Sequence, residues 1–122
     1  MPDASAHVAA AIHNLDVARH LLETPDHHDW CVITTFYSAL HMVEAVFAAD
    51  PKSPRPHTTS HDMRDSALRD TVHLNHIFKP YSAIYRAAYV ARYDCDKTTT
   101  NKNACFARYM PPHLVVDTIL RY

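Results

Sequence analysis

Apolar residues at the start of the chain recur at intervals of three and four: Val8, Ile12, Leu15, Ala18 and Leu22. That interval is the repeat of one helix face, so the pattern predicts an amphipathic helix capped by Asp3 and stopped by Pro25. Trp30, Ile33, Phe36, Tyr37, Leu40, Val43 and Phe47 then cover more than half the circumference of a second helix. A helix so widely apolar belongs at the centre of a bundle. Asp26 or Asp29 is placed to cap it and Asp50-Pro51 to close it, with Pro51, Pro54 and Pro56 holding an extended loop.

Thr58–Ser60 can start a third helix with a weaker stripe of Met63, Ala67, Leu68 and Val72, broken near His73–His76. Lys79-Pro80 reads as a stop and a restart. Tyr81, Ile84, Tyr85, Ala88 and Val90 mark a fourth helix ending near Tyr93. Asp94–Asn103 is polar and reads as a loop, and Cys105–Met110 as a short helical stretch. Pro111-Pro112 suits the first turn of a last helix burying Leu114, Val115, Ile119 and Leu120. The expectation is one all-α domain over residues 1–122, an antiparallel bundle of four to five helices.

Composition sharpens this picture. The 122 residues include no Gly, which argues against tight β-hairpins and Gly-rich phosphate loops, and no cofactor motif is visible. Formal charge is −1, so no basic field advertises nucleic acid, although 11 His would carry the chain positive below about pH 6.5. Cys31, Cys95 and Cys105 are odd in number and lack metal spacing, as expected of reduced thiols. Met1–Ala11 lacks the marks of a signal peptide, and no stretch reads as the ~20 apolar residues that span a bilayer. A soluble, cytoplasmic protein without membrane contact is expected.

Four segments carry a family resemblance. Trp30 is followed by Phe36-Tyr37-Ser38-Ala39-Leu40-His41-Met42-Val43-Glu44-Ala45; then come Ser60-His61-Asp62-Met63-Arg64, Tyr81–Tyr85, and Arg86-Ala87-Ala88-Tyr89-Val90-Ala91-Arg92-Tyr93-Asp94. In this order they resemble the HEPN superfamily of helical bundles, from Leu15 to Asp94. The resemblance implies a C₂ homodimer, with the helices around Tyr37 and Tyr85 as candidate interface. It also implies an RNA or nucleotide ligand, and a toxin–antitoxin or defence setting with a nucleotidyltransferase-type antitoxin as partner.

Many members are metal-independent RNases whose site is Arg, four to six residues, then His, with a Tyr two beyond. An Arg can neutralise a scissile phosphate and a His can move its protons near pH 7. Carried over, the Arg is Arg86 and the Tyr is Tyr93, but the His position falls on Ala91, whose methyl transfers no proton. The resemblance therefore implies a module that binds RNA, a nucleotide or a partner protein. The alternative is an endoribonuclease with a displaced His: His41, His61 or His76, beside Arg86 or Arg64. Three other Arg–His matches exist, Arg55…His61, Arg69…His76 and Arg108…His113, where about two arise by chance.

His41 shares a helix face with Tyr37. It is either a core imidazole bonded to a carbonyl or a Tyr hydroxyl, or one of a set with His61 and Arg64 meeting near Arg86 and Tyr93. The pairs His57/His61 and His73/His76 have helix-face spacing but no third ligand, which favours solvated His over a metal. Tyr81, Tyr85, Tyr89 and Tyr93 form a stripe suited to packing, to a dimer interface, or to stacking bases beside Arg86 and Arg92. The candidate catalytic set is His41, His61, Arg64, Arg86 and Tyr93, and the candidate ligand-binding set is Arg64, Arg86, Tyr89 and Arg92.

Overall fold

The computed structural model describes residues 3–23, 27–53 and 58–93. They form four α-helices, α1 (Ala4–Leu22), α2 (His28–Ala49), α3 (His61–Asp70) and α4 (Phe78–Tyr93), with a 3-10 turn at Asn75–Ile77 before the last. No strand occurs among the described residues, and the architecture is an all-α bundle. Pro25, Asp26, Pro54, Arg55, Pro56, His57 and all readings beyond Tyr93, including the last helix and Arg108…His113, lie outside the described residues.

Asp3 caps α1 as its sequence suggests, its Oδ1 accepting from Ala6 N at 2.9 Å. The buried face keeps Leu15 and Ala18 of the expected stripe but is rotated from it. His7, Ala11, Leu15 and Ala18 are inside, whereas Ile12 is 53% exposed and Leu22 is exposed. The physical reason is close approach. Ala11 and Ala18 are small enough for α2 side chains to reach the α1 backbone: Ser38 Oγ donates to Ala11 O at 2.7 Å and Cys31 Sγ to Ala18 O at 3.3 Å. Ile12 in that position would hold the helices apart.

Helix α2 is central. One side takes α1 through Cys31 and Ser38, and the other joins Val32, Phe36, Ala39, Val43 and Phe47 to Ala67 and Leu68 of α3, Leu74 and Ile77, and Tyr81, Ile84, Ala87 and Ala88 of α4. Its N-cap is His27, without a side-chain bond, in place of Asp29, and Trp30 lies 56% exposed outside the core. Asp50 ends it in extended backbone, as a residue before proline prefers. Residues 29–49 are long and apolar enough to cross a membrane by length and composition, which corrects the sequence expectation. Most of that span is buried inside the bundle.

Ser60 caps α3 by accepting from Met63 N at 3.2 Å. The helix ends at Asp70, so Val72 falls beyond it and is almost fully exposed, and the inward face is Arg64, Ala67 and Leu68. Leu74 and Ile77 anchor the turn that follows, and His73 Nε2 meets Asp50 Oδ2 at 2.6 Å across it. Pro80 sits in the first turn of α4, where a missing N–H costs nothing, so Lys79-Pro80 belongs to the start of a helix and not to an interruption.

The observed α1 face is testable by urea unfolding. Ala11→Leu should destabilise by about 1–3 kcal/mol through overpacking. Ile12→Ser should stay within about 0.5 kcal/mol.

Candidate ligand cleft

A polar group in an apolar helix must find a partner or destabilise the fold. Glu44, in the middle of α2, is 2% exposed. Its Oε1 accepts from Arg64 Nε at 3.0 Å and from the Thr58 hydroxyl, and its Oε2 accepts from Thr58 N at 3.2 Å. Arg64 Nη1 donates in turn to the Tyr81 hydroxyl at 3.1 Å. Burial works against the charge on Arg64, but Tyr81 and Glu44 outweigh it and hold the guanidinium above its ordinary pKa. Burial likewise pushes the Tyr81 hydroxyl up, against the pull of Arg64. The network ties α2, the α3 entry and α4 together.

Above it opens a cleft of about 420 Å³. Phe36, Tyr37 and Leu40 of α2 form one wall, His61 and Arg64 of α3 the end, and Tyr85, Tyr89, Arg92 and Tyr93 of α4 the other wall. The α4 residues fall at i, i+4, i+7 and i+8, a single helix face. Tyr81 begins the same stripe but is fully buried, so the stripe is core at one end and open wall at the other.

The His61 ring lies flat on Tyr85, centroids 3.6 Å apart and planes within 3°. Its Nδ1 is buried and bonds to no group. Burial, assisted by Arg64 and opposed by Asp65 and Asp62, holds its pKa below the ordinary imidazole value, which favours the neutral ring. The Arg92 guanidinium stands 5.4 Å from the Phe36 ring centre and 5.0 Å from that of Tyr93. It donates from Nε to Ala88 O at 3.2 Å and from Nη1 to the Tyr37 hydroxyl at 3.4 Å. Among the described residues it has no carboxylate partner. Arg64 is neutralised by Glu44, so among the described residues Arg92 is the cation of this cleft without a carboxylate partner.

Of the sequence-derived residues, His61, Arg64, Tyr89, Arg92 and Tyr93 meet here. His41 does not: its Nδ1 lies 3.1 Å from Nδ1 of His7, at the α1–α2 interface. Arg86 is exposed in a shallow groove with Val90, on the far flank of Tyr85 and Tyr89. Arg69 is tied to Asp65 at 3.1 Å and Asp70 at 3.3 Å, and His76 is exposed in the 3-10 turn, so that match forms no site either. No group of three or more His, Cys, Asp or Glu among the described residues could hold a metal. Glu44 and Thr58 escaped the sequence reading, although a lone acid inside an otherwise apolar helix was a visible signal for the former.

Two outcomes follow from these contacts. Glu44→Gln should destabilise by about 3–5 kcal/mol in chemical denaturation, since it strands a buried guanidinium. Stability should also fall as pH drops through 6.5. There the unfolded chain protonates His41 and His61, whereas the fold depresses both pKa values, His41 chiefly through burial and then through His7. Urea midpoints at pH 7.5, 6.5 and 5.5 measure this loss. No family model matches this chain, and no curated protein or solved structure matches it either.

Proposed function

We propose that this chain is a HEPN-like module that binds RNA or a nucleotide in the cleft between α2 and α4, acting in the cytoplasm. The observation that carries the reading is Arg92, a guanidinium without a carboxylate partner among the described residues, set among aromatic rings. An anion with a planar ring is what such a surface receives best: the phosphate on Arg92 and the base on Tyr89 or Tyr93, both exposed. The resemblance of the four sequence segments to the HEPN superfamily supports the same ligand class. A C₂ dimer through the helices around Tyr37 and Tyr85, and a nucleotidyltransferase-type antitoxin as partner, belong to this proposal.

The second reading, a metal-independent endoribonuclease, is favoured by one observation: His61, whose pKa burial holds below the ordinary imidazole value, lines the same cleft as Arg64 and Arg92. His41 and His76 lie elsewhere, which narrows the displaced His to His61. The buried, unpartnered Nδ1 leaves only the other ring nitrogen for proton transfer.

Fluorescence anisotropy with a labelled single-stranded RNA and with AMP tests binding. Arg92→Ala should weaken it about 10-fold or more, and Tyr89→Ala about 5- to 100-fold. No binding at millimolar protein, or an unaffected Arg92→Ala variant, would sink the proposal. RNA incubated in EDTA separates the readings: cleavage lost in a folded His61→Ala variant establishes the nuclease.

A further inference from the structure

His7 and His41 stand apart from the cleft. Both rings are turned so that like atoms face: Nδ1 lies 3.1 Å from Nδ1, with centroids 5.4 Å apart and planes inclined at 35°. A bond between two imidazole nitrogens needs one N–H and one bare lone pair. Two neutral rings meet that need, and a first added proton can sit on the outward Nε2 of the donor ring and leave the contact intact; a second must go to the facing nitrogen, where it sets two N–H groups and two charges against each other. A metal does not take the place of the shared proton, because no third ligand stands by among the described residues.

The pair sits where α1 is fastened to α2. Three contacts run in antiparallel order along the two helices: Cys31 to Ala18, Ser38 to Ala11, and His41 to His7. The first two are bonds to backbone carbonyls and are indifferent to pH. Only the last, nearest the start of α1, changes with proton count. His7 is buried, so a charge there is not relieved by water.

The nearby carboxylates are already engaged in other bonds. Asp3 of α1 spends its carboxylate on Ala6 N and the Ser5 hydroxyl. Glu44, one turn along α2, is held by Arg64 and Thr58; it favours a charge on His41, but less than burial and His7 oppose one. Arg64 of α3 adds positive potential at His41.

We propose that the His7–His41 pair is a proton-operated latch: with one shared proton it holds the first half of α1 on α2, and a second proton releases it. Release uncovers the α2 surface under Ala11 while the α2–α4 core and its cleft stay folded. The latch is independent of what the cleft binds.

Hydrogen exchange of the whole chain, corrected for the intrinsic pH dependence, tests this at pH 7.5 and pH 5.0. Amides of residues 7–14 should lose protection about 10-fold or more at the lower pH, while those of residues 81–88 hold theirs or fall less. His41→Gln, which keeps a hydrogen-bonding side chain but cannot titrate, should abolish the difference between the two regions. Histidine NMR of the unmodified protein gives a second measurement that does not depend on a variant folding. The two rings should take up protons in two separated steps. Equal loss of protection in both regions, an unchanged pH response in a folded His41→Gln protein, or two coincident titrations would each overturn the latch.

Discussion

The structure turns on one buried ion pair. Glu44 and Arg64 bring a carboxylate and a guanidinium into an interior otherwise made of Val43, Phe47, Leu68 and Ile84, where neither is tolerable alone. Each is satisfied by the other and by neutral neighbours, Thr58 for the acid and Tyr81 for the base. Such a pair contributes little net stability compared with apolar residues of equal volume. What it does is geometric. It fixes the depth of α3 against α2 and aligns Tyr81, and with it the stripe of α4 that becomes the cleft wall.

That geometry also sets the charge of the cleft. The deeper guanidinium is already compensated by Glu44, and burial favours the neutral form of the His61 imidazole. Arg92, held near the mouth by Tyr37 and the Ala88 carbonyl, supplies the positive charge. Within a chain of formal charge −1, the described residues thus form a local cationic, aromatic surface that the overall charge conceals.

Two pairs of imidazoles and rings illustrate how the same residue type takes different duties. His61 is laid flat on Tyr85, a stacking contact that leaves one nitrogen buried. His41 meets another imidazole edge to edge across a helix interface. Burial is the first cause that holds both pKa values below the ordinary imidazole value.

Periodicity and capping chemistry were enough to read the helices. Asp3 and Ser60 cap where their side chains can reach a free N–H, and Pro51 follows the end of α2, because these effects act within a turn or two of chain. The choice of buried face on α1 was not readable. Ile12 is the more apolar residue, but Ala11 permits the closer approach that Ser38 and Cys31 require, and only the neighbouring helix makes that demand. The same holds for the site. Sequence supplied His61, Arg64, Tyr89, Arg92 and Tyr93 as chemically able residues, but the separation of Arg86 and His41 from them, and the partnering of Arg64 by Glu44, depend on how three helices meet in space. Local propensity is written residue by residue; proximity between distant residues is a property of packing, and only the folded chain decides it.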